Sequence, residues 1–128
     1  MKPTDEQIKE FWEWCGFERL PEGNKDYHFE KTVKVMNWTH PKLLYGFLTN
    51  LPRIDLDNLF EYAVTKLMYD RVLDGFECHI DSRRDGLGYQ WIIGDRYRAN
   101  TYRTGEYITD NALALFWAIW KVMHDDTT

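Results

Sequence analysis

The sequence predicts an α+β domain in which a single, antiparallel-rich sheet has helices packed on it. First, the 128 residues are 44% hydrophobic and 29% charged, a balance typical of a globular chain. Second, three segments carry apolar residues at helical spacing behind capping residues. Third, residues 76–103 alternate in polarity between short turns, as in an antiparallel meander. We therefore predict one domain over residues 1–128, with the order α-β-α-β-β-β-α, α/β/α layering and a polar tail at 124–128.

The opening helix is predicted by a capping box, in which Thr4 and Gln7 satisfy each other's backbone N–H groups. The apolar residues that follow recur at i, i+3, i+4 and i+7, and Gly16 suits the left-handed position that ends a helix. Cys15 falls on this stripe beside Phe11 and Trp12. No His, Lys or Arg adjoins it to activate the thiol, so we expect a buried cysteine rather than a nucleophile.

The next elements are a strand over residues 27–38, ended by His40-Pro41, and a second helix. Residues 42–52 fit either a short strand or an apolar loop. Asp55 is the predicted cap of the second helix, whose apolar residues keep helical spacing as far as Met68.

Three strands should follow, with turns at Asp85-Gly86 and Gly94-Asp95. The final helix is predicted to begin at a Thr109 cap. Its run from Ala112 to Trp120 is apolar on every side, so more than one of its faces must be covered.

Trp14-Cys15-Gly16-Phe17, Trp38-Thr39-His40-Pro41 and Leu51-Pro52, with the closing alanine-rich helix, carry a family resemblance. In these stretches and in element order, the chain resembles the phage ABA sandwich domain family of short phage and prophage proteins. The resemblance implies a sheet between helices and a phage context, and no catalytic residues. The closing helix departs from the family pattern, because it carries Phe116, Trp117 and Trp120 where small residues are usual.

Two acidic stretches could bind metal. Asp55-x-Asp57-Asn58 is similar to the start of a calcium loop, but apolar helix residues follow it, which favours capping. His79 and Asp81 share one strand face with Glu77, as a base and carboxylate would, but the alternation of an exposed antiparallel strand favours a solvated face paired with nearby arginines. We therefore predict neither a metal nor another cofactor.

Five arginines gather in the predicted meander, and Arg96 and Arg98 are expected on one face with Tyr102. Arginines interleaved with aromatics can hold a nucleotide or a single-stranded nucleic acid. Nearby acidic residues could instead neutralise them as cross-strand pairs. We take Arg96, Arg98, Tyr102, His79 and Asp81 as the candidate ligand-binding set.

The net charge, the cysteine content and the lack of an apolar leader limit the functions that the sequence allows. The net charge of -5 disfavours general attraction to nucleic acid or to an anionic membrane. Two cysteines and no apolar leader indicate the cytoplasm, here of a bacterial host. The sequence favours a non-enzymatic interaction module that binds an unknown host or phage macromolecule. The alternative is a nucleotide or small-ligand binder, with weak hydrolase activity at most.

A homodimer is also predicted. The closing helix has no polar face between Ala112 and Trp120, and one sheet covers only one side of a helix. A second copy could cover the other side, with Leu115 and Ile119 near the interface.

Overall fold

The computed structural model describes residues 2–20, 38–43, 48–84, 86–96 and 100–125, and the side chains of residues 83 and 84 are not described. The chain divides into two compact units, Pro3–Pro52 and Arg53–Thr128 with the first two residues. The α+β class is confirmed. The expectation of a single sheet is wrong, because the first unit has a two-stranded antiparallel sheet and the second a three-stranded one. One domain and α/β/α layering stay predictions.

The first unit begins with the opening helix, Asp5–Trp14. The predicted capping box is present: Gln7 N donates to Thr4 Oγ1 at 3.2 Å, and Thr4 N donates to Gln7 Oε1 at 2.9 Å. Gly16 ends the helix with φ +106°, a conformation that glycine adopts without steric cost. Cys15 is buried, as predicted.

Two short strands follow the opening helix. β1, Glu18–Arg19, pairs antiparallel with β2, Trp38–Thr39. Trp38 also exchanges both backbone hydrogen bonds with Leu48, at 2.7 Å each. The predicted strand at 27–38 lies outside the described residues except for Trp38, and residues 44–47 of the ambiguous stretch also lie outside them.

The second unit begins with the middle helix, residues 56–70. Asp55 caps it, as predicted, by accepting a hydrogen bond of 2.8 Å from Asn58 N. Its backbone is α-helical over Leu56–Asn58, π-helical over Leu59–Val64 and α-helical over Thr65–Asp70. Directly after the π-helical segment, Thr65 Oγ1 donates a hydrogen bond of 2.7 Å to Glu61 O.

The sheet has the strand order β3-β4-β5, with β3 Leu73–Arg84, β4 Gly86–Asp95 and β5 Asn100–Arg103. β4 pairs antiparallel with both neighbours, so the predicted meander is present. Gly86 has φ +124°, and Asp85 lies outside the described residues. The turn predicted at Gly94-Asp95 is wrong. Both residues continue β4 and pair with Thr101 and Asn100, because β5 extends the ladder to them.

The closing helix, Asn111–Met123, is capped by Asp110 rather than by Thr109. Asp110 Oδ1 accepts a hydrogen bond of 3.2 Å from Leu113 N, which places the cap one residue later than predicted. The helix contacts β4, β5 and the middle helix. Leu115 and Ile119 are both 0% exposed in the single chain. The reason for placing them at a dimer interface therefore no longer applies, and the homodimer stays a prediction.

Candidate interaction surface

The helices of the second unit contact one face of its sheet. Trp91 Nε1 donates to Asn111 Oδ1, at the start of the closing helix, over 2.7 Å. The Phe60 ring of the middle helix lies 6.0 Å from Phe76 and 5.9 Å from Trp91. Phe76, Cys78 and Ile80 of β3 share this face with their β4 partners, because directly opposed residues point to the same side. We call it the helix-side face.

The structure does not bring the predicted ligand-binding residues together on one face. Tyr102 pairs with Ile93 on the helix-side face and is 6% exposed, whereas His79 pairs with Gln90 on the opposite face. Arg96 lies in the turn after β4, where its backbone N donates to Val72 O. Arg98 lies outside the described residues. Ligand binding by this set stays a prediction.

His79 and Glu77 form an exposed pair on the opposite face, with Nε2 and Oε2 2.8 Å apart. Asp81 lies on the same face, two residues further along β3. Among the described residues, no three His, Cys, Asp or Glu side chains are grouped closely enough to hold a metal ion. The arrangement is that of a polar strand surface.

A partly buried network of charged and polar side chains surrounds Tyr102. Arg71 NH1 donates to Asp95 Oδ2 at 2.8 Å, and Arg71 NH2 donates to Val122 O at 3.3 Å. The Tyr102 hydroxyl donates to Asp125 Oδ2, just beyond the closing helix. The network thus ties the end of the middle helix to β4, β5 and the end of the closing helix. It explains Tyr102 as a structural residue.

Burial and hydrogen bonding shift the pKa values in this network. Burial, together with the hydrogen bond to Asp125, raises the pKa of Tyr102. Burial alone would lower the pKa of Arg71, but hydrogen bonds to Asp95 and Tyr102 outweigh it and raise that pKa. Both shifts favour the protonated forms, so the network keeps Arg71 charged and Tyr102 neutral.

Cys78 is the more accessible of the two thiols. It is half-buried on β3, and burial raises its pKa, which disfavours the nucleophilic thiolate. Its sulfur atom lies 3.9 Å from Asn111 Oδ1. Neither cysteine is thus placed as an activated nucleophile.

The outer end of the β3-β4 hairpin carries exposed apolar side chains. On the helix-side face, Ile93 and Trp91 are buried, whereas Ile80 is 61% exposed and Leu87 is 48% exposed. By strand alternation, Leu87 lies on the same face as Tyr89, the residue opposite Ile80. We call Ile80 and Leu87 the hairpin surface.

Element lengths explain why the hairpin surface is uncovered. The closing helix has 13 residues and spans about 20 Å, whereas the 12 residues of β3 span about 40 Å. The helix begins beside Trp91, whereas Ile80 pairs with Tyr89, which lies two residues nearer the hairpin turn. From Trp91 the helix runs away from the turn, and the chain then reaches Asp125 beside Tyr102. The hairpin therefore extends beyond the helices.

Sequence reasoning did not identify the hairpin surface. The alternation of residues 76–103 assigns Ile80 to one face of a strand, but it does not show how far the helices extend along that face. The signal was available in the lengths, because a hairpin with arms of 12 and 10 residues exceeds the reach of a 13-residue helix. The Arg71–Asp95 ion pair left no comparable signal, since the two residues are 24 positions apart.

Comparisons with protein-family models, with curated proteins and with solved structures give no match to this chain. In the described part of the chain, no helix combines the length and the apolar content needed to cross a bilayer.

Proposed function

We propose that the protein is a non-enzymatic interaction module whose hairpin surface binds a protein of the phage or of its bacterial host. The observation that carries the proposal is the exposure of Ile80 and Leu87 on the sheet face that the helices contact, where Trp91 and Ile93 are buried. The resemblance noted above supports the phage context, and with it the host cytoplasm as the location.

The hairpin surface has physical properties that suit binding. Its two aliphatic side chains stand on paired strands, so the backbone is already ordered and little conformational entropy is lost on association. Each gains transfer free energy of about 25 cal/mol for every Å² of apolar surface that a partner covers. A partner with a complementary apolar patch would therefore gain affinity there without rearranging the fold.

The test is a capture experiment with matched variants. Immobilised wild-type chain, Leu87→Glu and Met68→Glu are incubated with lysate of infected and uninfected host cells, and bound proteins are quantified by mass spectrometry. Met68 is 64% exposed on the middle helix and is the matched control. We expect a protein that wild type and Met68→Glu retain and that Leu87→Glu loses. Equal retention by all three would overturn the proposal.

The alternative function, nucleotide or small-ligand binding by Arg96, Arg98, Tyr102, His79 and Asp81, has a separate test. A ligand that binds the folded state raises the melting temperature by mass action. If a thermal-shift screen with nucleotides gives a specific rise that Arg96→Ala abolishes, the alternative replaces the proposal. A flat screen leaves the interaction module.

A further inference from the structure

Both helices of the second unit begin at the hairpin end of the sheet. The closing helix begins beside Trp91, where Asn111 Oδ1 accepts the indole N–H over 2.7 Å. The ring of Phe60, in the first half of the middle helix, lies 5.9 Å from the ring of Trp91. Arg71, just after that helix, donates to Asp95 at the far end of β4. The two helices therefore run away from the hairpin turn, and their first turns border the hairpin surface.

The hairpin surface continues across the sheet as a row of apolar residues. Ile80 pairs with Tyr89, and Tyr89 exchanges backbone hydrogen bonds of 2.8 and 2.9 Å with Ile108. Because directly opposed residues point to the same side, all three lie on the helix-side face. Tyr89 and Ile108 are half-buried, whereas Ile80 is 61% exposed. We call these three residues the apolar row, and Leu87 lies beyond it towards the hairpin turn.

An α-helix laid across the strands fits the strip of the helix-side face between Trp91 and Leu87. These four residue steps of β4 span about 13 Å, and a helix with its side chains is about 10–12 Å wide. The apolar row covers two strand spacings, about 10 Å, which matches the rise of about 10.5 Å over seven residues of helix. Apolar residues at i, i+3 or i+4 and i+7 of such a helix therefore reach all three members of the row.

The two helix starts give this strip a negative border. Residues 53–58 and 108–111 contain three aspartates, Asp55, Asp57 and Asp110, and one arginine, Arg53. The N-terminus of each helix adds about +0.5 charge, so the two starts together keep a net charge of about −1. Asp57 and Asp110 are exposed. Lysine or arginine beside the apolar stripe of a partner is therefore favoured here, and acidic residues are disfavoured.

We propose that the hairpin surface binds an amphipathic α-helix of the partner protein, laid across the strands along the apolar row. The apolar stripe of that helix covers the row and Leu87, and its flanking basic residues face Asp57 and Asp110. The bound helix extends the helical layer over the outer end of the hairpin. This inference rests on the proposed function, because it names the kind of segment that the hairpin surface binds.

The first test is a selection from displayed peptides of about 14 residues, or about four helical turns. Half of the library places apolar residues at helical spacing, and half alternates them as in a strand. Within each half, the flanking positions carry either lysine or glutamate. Sequences are selected on the immobilised full chain and counter-selected on Leu87→Glu. We expect the helical pattern with lysine to be enriched. Enrichment of the strand pattern or of glutamate overturns the proposal, and so does a failure to find any sequence that distinguishes wild type from Leu87→Glu.

The second test measures the affinity of a selected helical peptide for each variant by fluorescence polarisation. Ile80→Glu and Leu87→Glu should each weaken binding at least about tenfold, because a carboxylate then faces the apolar stripe. Met68→Glu, at a position 64% exposed on the middle helix, is the matched control and should bind as wild type does. Circular dichroism should show that the peptide gains helix on binding. Equal affinity for wild type and Leu87→Glu, or a bound peptide without helix, contradicts the proposal.

The charge of the border is tested with the same peptide. Asp110→Asn should weaken binding about threefold, as the loss of one exposed charge pair does. Asparagine also caps helices, so this variant should keep the stability of wild type. Asp70→Asn, the same change at the far end of the middle helix, is the control. Equal affinity of these two variants would show that basic residues of the partner do not face Asp110.

The outcomes separate this inference from the proposed function. If the selection fails but Leu87→Glu still loses the captured phage or host protein, the interaction module stands and its partner does not bind through a helix. If Leu87→Glu loses nothing in either experiment, both fail.

Discussion

His40 joins two parts of the first unit that are 25 positions apart in the sequence. Lys42 N donates to His40 Nδ1 at 3.0 Å, so Nδ1 is the acceptor and Nε2 carries the proton that is donated to Cys15 O over 2.9 Å. The Cys15 carbonyl belongs to the last turn of the opening helix, where backbone acceptors lack helical partners. His40 is thus a helix cap supplied from a distant segment.

We expect His40→Ala to lower the free energy of unfolding by about 1–3 kcal/mol, because it removes both hydrogen bonds inside a buried site. Lys42→Ala is the matched control, since the hydrogen bond uses only the Lys42 backbone. Urea titration followed by tryptophan fluorescence measures both. Equal stability of the two variants would show that the His40 cap contributes nothing.

Tyr102 makes the free energy of unfolding depend on pH in the alkaline range. The folded-state pKa of Tyr102 is raised above the ordinary tyrosine value, by burial and by the hydrogen bond to Asp125, so the folded chain holds the phenolic proton more tightly than the unfolded chain. The resulting stabilisation is complete below pH 10.0 and is lost as the pH rises through the folded-state pKa.

We therefore expect Tyr102→Phe to be less stable than wild type by about 1 kcal/mol near neutral pH, through the lost hydrogen bond. The difference should narrow above pH 10, because the variant lacks this titration. Urea titrations across the pH series measure it, with exposed Tyr69→Phe as the control. A constant difference over the whole series would contradict the assignment.

Residues whose roles are local could be predicted from the sequence, and residues whose roles depend on distant partners could not. Asp55 and the Thr4–Gln7 box act within three positions, so spacing alone identifies them. Burial of Cys15 follows from its place on a helical stripe. Tyr102 was expected to bind a ligand because its strand was read without Asp125, which lies 23 positions further along.

At the scale of elements, the closing helix shows that a capping pattern predicts where a helix begins to within one residue. Thr109 and Asp110 are both good cap residues. The sequence alone favours Thr109, because Ile108 before it and Leu113 four residues after it can form a hydrophobic staple. The structure selects Asp110, whose carboxylate accepts from Leu113 N three positions later. Local chemistry thus predicts that a helix begins here, and the remaining fold decides at which residue.

We expect Asp110→Ala to lower the free energy of unfolding by about 1 kcal/mol, whereas Thr109→Ala should leave it unchanged. Both residues are exposed, so neither change alters packing. Thermal denaturation followed by circular dichroism distinguishes them. If Thr109→Ala is instead the less stable of the two variants, Thr109 is the cap.

Close packing between two strand-end segments makes a second element-scale prediction. Tyr89 exchanges backbone hydrogen bonds with Ile108, and this places Tyr107 directly over Gly88. A Cβ at Gly88 would lie 2.8 Å from Tyr107 Cβ, closer than real Cβ contacts. Because neither atom is at the flexible end of a side chain, the backbone would have to move.

Gly88→Ala should therefore cost about 1–3 kcal/mol of stability, as overpacking does elsewhere. Gly75→Ala is the control: its nearest contact is Gly94 N at 3.8 Å, an ordinary separation. Urea titration of the two variants makes the comparison. Equal stability of the two variants would mean that the hydrogen bonds between Tyr89 and Ile108 do not hold Tyr107 in place.

At the scale of the whole molecule, the α+β class could be predicted because it needs only the types of the elements. The number of sheets could not, because β1 and β2 have two residues each and pair through contacts that no alternation pattern encodes. Coverage of the closing helix was misjudged for a related reason. The sequence shows that Leu115 and Ile119 need covering, but it does not show that the middle helix and the sheet together provide it.

The last prediction separates an interior position from a subunit interface. Ile119 is 0% exposed in one copy of the chain, so Ile119→Glu must bury a carboxylate among apolar side chains. That should cost more than about 3 kcal/mol and unfold the second unit at every protein concentration. Met68→Glu, at an exposed position on the middle helix, should stay folded. Circular dichroism and light scattering on the two variants decide the matter. A folded Ile119→Glu monomer from a dimeric wild type would instead place Ile119 between subunits, since a carboxylate there reaches water once the copies separate.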